Sequence, residues 1–138
     1  MTRRALLLIP IAASLRADSA QQVWDLFTSM AAALSAGDAS AFLSAFDAAM
    51  PGYEALRAGG TALLREAEVQ SSIELVEEAG DDGSRAVELD WLVHIVDRQD
   101  GAVAERRRER GKCRVENSGR KWRVTSLEPL QFFAPPRR

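Results

Sequence analysis

Arg107 and Glu109 stand two residues apart in a stretch that alternates like a β-strand, so both project to one side of a sheet. A guanidinium placed there can hold a ligand carboxylate by two parallel hydrogen bonds. A desolvated glutamate beside it can give or take a proton. With Trp91 and Tyr53 as apolar walls they form a candidate ligand-binding set, because small-ligand sites combine an apolar lining with a few polar groups. The competing reading is a structural ion pair at the rim of the core. His94 is the one histidine, and no nucleophile stands at motif spacing from it, so it reads as a surface or interface residue. Asp90 could serve as a carboxylate base but reads more simply as the ion-pair partner of Arg110. The one cysteine, Cys113, excludes an intrachain disulfide and a cysteine zinc cluster. There is no metal-ligand spacing, Gly-rich phosphate loop or Ser-centred elbow, so no metal, no cofactor and no catalytic residue is assigned.

These residues must be positioned by a single domain, since 138 residues leave no room for a second. Residues 1–17 read as an export signal. Arg3 and Arg4 give a positive start, Ala5 to Ala13 is an apolar run too short to span a bilayer, and Leu15-Arg16-Ala17 ends on a small residue. Ala12-Ala13-Ser14 is an alternative cut, and TRRALLL is a partial twin-arginine match. The expected location is periplasmic or secreted, with no membrane in the mature form, and cytoplasmic if the signal reading fails. Loss of residues 1–17 leaves 15 basic against 20 acidic residues, a balance that argues against a general nucleic-acid binder. Cys113 is then an unpaired thiol in an oxidising compartment and is expected to be buried.

Residues 18–36 carry Val23, Phe27, Met30 and Leu34 at helical spacing, with Asp18 or Ser19 as cap and Gly37 as stop. Asp38 or Ser40 caps a second helix bearing Phe42, Leu43, Phe46 and Met50. A third helical stretch covers residues 51–67, interrupted at Gly59-Gly60 and recapped by Thr61. Beyond residue 68 the apolar period changes to two. Residues 69–77, 85–97, 104–115 and 121–128 read as strands, joined by Asp81-Asp82-Gly83, Gln99-Asp100-Gly101 and Asn117-Ser118-Gly119 as hairpin turns. The expected fold class is α+β, with N-terminal helices on an antiparallel four-stranded meander. Residues 134–138 are expected to fray.

The segments GDASAFLSAFD (37–47) and KWRVTSLEPLQFF (121–133), with this order of elements over residues 18–133, resemble the nuclear transport factor 2-like superfamily. The resemblance implies a cone, in which a strongly curved sheet wraps the helices and leaves a pocket at its open end. It implies an aromatic-rich last strand. It also implies a wide choice of functions, from ketosteroid isomerases and polyketide cyclases to non-enzymatic modules, and so speaks for fold more than activity. Helix 18–36 has no Tyr, so the phenolic donor of the ketosteroid isomerases has no counterpart there.

Val87, Leu89, Trp91, Val93 and Ile95 alternate and must face the core. A three-residue loop at 99–101 then sets Asp90 opposite Arg110, Glu88 opposite Lys112 and His94 opposite Arg106 on the outer face. Arg106, Arg108, Arg110, Lys112 and Arg114 point outward, and Glu105, Arg107, Glu109, Cys113 and Val115 inward. A two-residue turn at 118–119 would bring Trp122 beside Val115 and Val124 beside Cys113. The run from Glu105 to Arg123 holds nine basic and three acidic residues, but Glu74, Glu78, Glu88 and Asp90 offset it across the outer face. That face reads as solvated or as a homodimer surface, and no nucleic-acid partner is expected. The leading reading is a non-catalytic module that binds a small apolar or carboxylate ligand or dimerises. The alternative is a small lyase, isomerase or hydrolase using acid-base residues in the cone.

Overall fold

Helix α1 (Thr2–Ala36) buries Val23, Phe27, Met30 and Leu34, one turn apart each, against the sheet. The computed structural model describes residues 2–119 and 121–136, and for residues 2–18 only the helical backbone, so the export-signal side chains lie outside the described residues. No helix among the described residues is long and apolar enough to cross a membrane. Asp18 and Ser19 do not begin the helix, because α1 continues ahead of them. Ser19 is instead buried and donates its hydroxyl to Asp82 Oδ1 at 2.6 Å, fastening α1 to the first hairpin turn. At the other end Gly37 takes φ +72°, and the amides of Gly37 and Asp38 return to the carbonyls of Leu34 and Ala33. That pair of bonds is a Schellman stop, which needs a residue at ease in the left-handed region.

Asp38 caps helix α2 (Ala39–Leu43) by accepting the Ala41 amide. The second helix is shorter than its apolar stripe suggested. Phe46 is drawn into a backbone bridge with Val124, and the flanking bonds Asp47 N–H to Val124 O and Val124 N–H to Ala45 O replace helical ones. Helix α3 (Tyr53–Glu66) runs unbroken through Gly59-Gly60, correcting the expected interruption there, and Thr61 lies inside it. Gly60 packs on the Phe42 ring, and a Cβ on Gly59 would come within 3.3 Å of the Phe133 carbonyl oxygen. The glycines permit close approach rather than ending the helix. Arg98 closes the last turn of α3, donating to the carbonyls of Leu64, Arg65 and Ala67.

Strands β1 (Glu68–Gly80), β2 (Ser84–Val96), β3 (Val103–Asn117) and β4 (Trp122–Glu128) form one antiparallel meander in chain order. The sheet is curved and unclosed, and the fold class is α+β as expected. Val87, Leu89, Trp91, Val93 and Ile95 are all buried. The β2–β3 register pairs Asp90 with Arg110, Glu88 with Lys112 and His94 with Arg106, as charge matching required. The side-chain bonds run one step along the diagonal. Asp90 takes Arg108, at 2.7 and 3.1 Å, and Glu88 takes Arg110 at 3.9 Å. Sheet twist brings long side chains within reach of diagonal neighbours.

Two registers depart from expectation. Val115 lies opposite Val124 and Cys113 opposite Leu127, because the last turn sits one residue later than expected, with Ser118 N–H bonded to Lys121 O, and a bulge follows at Arg114/Val115. A second bulge at Val76 reverses the parity of β1 beyond Leu75, so Glu78 turns to the inner side opposite Val87 and pairs diagonally with Arg85 rather than joining the outer acids. β4 pairs only with 112–117, and after Glu128 the chain folds into a 3₁₀ turn, Leu130–Phe133, that packs on α3 and on Trp91 of β2.

Candidate functional site

Arg107 lies on the inner side of β3 with its side chain 11% exposed. Its Nε donates to Glu105 Oε2 at 2.5 Å. Its Nη1 donates to the carbonyls of Phe132 (2.9 Å) and Ala134 (2.6 Å), and its Nη2 to that of Pro135 (2.9 Å). The fork expected to grip a ligand therefore grips the chain's own C-terminal segment. Ala134 and Pro135, read as a frayed tail, supply two of the three carbonyls. A planar guanidinium suits this task because its donors are fixed in direction and it stays charged.

Beside this latch runs a groove of about 450 Å³ lined by Glu105, Arg107, Glu109, Pro129, Gln131 and Phe132, among others. Arg107 and Glu109 are thus brought together as the spacing implied, with Glu109 exposed toward the groove. Trp91 and Tyr53 are not part of it. Trp91 is opposite Glu109 in the ladder, but its ring is 2% exposed and covered by Phe133 (centroids 5.1 Å) and Phe132 (6.2 Å). Its indole N–H is satisfied by Ser71 Oγ at 2.7 Å. Tyr53 lines a separate groove with Asp47, Arg57 and Arg123. The apolar wall of the Arg107 groove is Phe132, which lies beyond the last strand and to which the sequence assigns no site role. Pro129 cannot donate to a ladder and marks where that strand stops.

Phe132 and Phe133 belong to an aromatic cluster that fills the concave side of the sheet. Phe133 meets Phe42 at 5.0 Å and Phe132 at 5.2 Å, and Phe42 meets Phe46 at 5.2 Å. Tilted and edge-to-face pairs of this kind add to the gain from burial. The other candidates are placed on the outer face or in the core. Arg106 Nε donates to His94 Nε2 at 3.1 Å. The hydrogen bond from Arg108 holds the Asp90 carboxyl below the usual carboxylate range. Burial pushes the Cys113 thiol up to about 12, which leaves almost no thiolate and makes it a poor nucleophile. Among the described residues no group of three or more His, Cys, Asp or Glu could hold a metal ion.

No protein-family model and no curated protein matches the sequence. Solved structures do match the fold. A conserved protein from Planctomyces limnophilus superposes with a TM-score of 0.72 at 13% identity, covering 81% of this chain and 94% of that one. A protein of unknown function with a cystatin-like fold from Nostoc punctiforme gives 0.61 at 19% identity, over 78% and 86% of the two chains. An NTF-2 like protein of unknown function from Shewanella oneidensis gives 0.59 at 12% identity, over 78% and 95%. At these identities the likeness concerns the fold, and that fold is the nuclear transport factor 2-like, cystatin-like cone.

Proposed function

We propose that the protein is a non-catalytic module that pairs with a second copy through the outer face of its sheet. The observation that carries this is the division of charge on that face. Glu74, Glu77, Glu88 and Asp90 lie on the β1–β2 half, and Arg106, Arg108, Arg110, Lys112 and Arg114 on the β3 side. Ala79, Ala86 and Leu92 lie among the acids on the β1–β2 half. A two-fold axis parallel to the strands would set the acidic half of each copy over the basic half of the other. An axis across the strands would oppose like charges. The double substitution Arg108→Glu/Arg110→Glu should leave a monomer by sedimentation equilibrium where the wild type has twice the chain mass. Mixing it with Glu88→Arg/Asp90→Arg should restore the dimer. A wild type that sediments as a monomer at low salt overturns the proposal.

A second reading, binding of a small apolar or carboxylate ligand, is favoured by the groove beside Arg107 and Glu109. Export belongs with both readings. Ser19, the second residue after the proposed signal, is already buried against the sheet's first turn, so a chain beginning at Asp18 keeps that contact. The buried Cys113 thiol suits an oxidising compartment. Mass spectrometry of the native protein should find an N-terminus at Leu15 or Asp18, and an intact Met1 in the cytoplasmic fraction overturns export.

A further inference from the structure

We propose that the bed beneath Leu130–Phe133 is a ligand site occupied in cis by the chain's own C-terminal segment, and that a flat aromatic acid takes it by displacing that segment. The inference rests on the ligand-binding reading and adds what gates the site. The segment's own described backbone–backbone bonds are local: Phe132 N–H to Pro129 O at 3.4 Å and Ala134 N–H to Gln131 O at 3.0 Å. Its β-ladder partners end at Glu128, so it can lift without unpairing a strand. What holds it is the chemistry by which a small ligand is held. Two phenyl rings lie on Trp91 and Phe42, and three carbonyls face one guanidinium.

A carboxylate is a better partner for that guanidinium than neutral carbonyls, since charge-assisted, bidentate pairs are shorter and stronger. An aryl group replaces the Phe132 ring, and an attached carboxylate replaces the carbonyls on Arg107. The groove of about 450 Å³ alongside gives the incoming molecule its approach. Gly59 contributes on the helix side, because a Cβ there would press on the segment's backbone, 3.3 Å from the Phe133 carbonyl oxygen. A ligand that binds only the open state shifts the population toward it, and its apparent affinity is its intrinsic affinity multiplied by the fraction of time the segment is open.

The test uses the full chain and two probes, naphthoate and the uncharged naphthylmethanol, read by calorimetry and hydrogen exchange. Naphthoate should bind the wild type weakly and raise exchange in residues 130–136 while β2 stays protected. Phe132→Ala, which vacates one ring, should bind it at least about tenfold more tightly, and adding Arg107→Met should remove at least about tenfold of the preference for naphthoate over the alcohol. Binding that leaves 130–136 protected, with no gain in Phe132→Ala, overturns the gate and leaves the ligand reading standing. Absence of binding to either chain overturns both. If Phe132→Ala does not fold, the exchange result on the wild type decides alone.

Discussion

Trp91→Asp is expected to leave no cooperatively folded protein. Trp91 is 2% exposed at the centre of the inner face, with Phe132 and Phe133 against its ring. Removing a buried aromatic costs about 3–5 kcal/mol through lost transfer energy and the cavity left behind. A carboxylate in its place could meet Arg107, its diagonal neighbour, only by drawing it from Glu105 and three main-chain carbonyls, and otherwise is buried unpaired or forced neutral, adding several kcal/mol more. The sum is comparable with the about 5–15 kcal/mol that holds a domain of this size together. Leu92→Asp, one residue along and on the outer face, should cost no more than about 1 kcal/mol. Near-ultraviolet circular dichroism and guanidinium melts distinguish the two, and a Trp91→Asp melt like that of the wild type would refute the assignment of faces.

Arg107→Met is the second large effect. It removes four hydrogen bonds from a nearly buried cation, three of them to main-chain carbonyls that anchor the C-terminus. Hydrogen bonds to charged groups contribute about 1.5–3 kcal/mol each, and bonds sharing one guanidinium do not add, so the expected loss is about 2–4 kcal/mol. The ceiling is set by the segment itself, which detaches once holding it closed costs more than releasing it. Arg107→Lys keeps the charge but lacks the fork and should recover only a minor part. Arg108→Met is the control. Its side chain is 69% exposed, and pairs of this kind contribute about 0–1 kcal/mol.

The inner face, the hairpins and the β2–β3 register were legible because each rests on a local rule. Val87 to Ile95 alternate without a break, and charge matching of Glu88 and Asp90 selects the register, although the structure reaches it through a bulge between Ile95 and Val96 rather than through a three-residue loop at 99–101. The misreadings share a cause. The bulges at Val76 and at Arg114/Val115 add a residue where composition is unremarkable, and each changes what lies opposite everything beyond it. Gly59-Gly60 looks like a helix break in isolation, and only the backbone of Phe133 against Gly59 and the ring of Phe42 against Gly60 give the pair its purpose. Arg107 was placed on the correct side of the sheet by parity. Its partners lie 25 to 28 residues away, in a segment with no period to read. Trp91 looks like a pocket wall in the sequence because nothing local says that Phe132 and Phe133 cover it.

That the C-terminal segment closes the cone under the grip of Arg107 is most directly tested by hydrogen–deuterium exchange over residues 129–136. The wild type and Arg108→Met should both protect this stretch. Arg107→Met should exchange there at the rate of an unstructured peptide, while residues 86–96 of β2 remain protected in all three proteins. Equal uptake over 129–136 in Arg107→Met and Arg108→Met would contradict the role given to the latch.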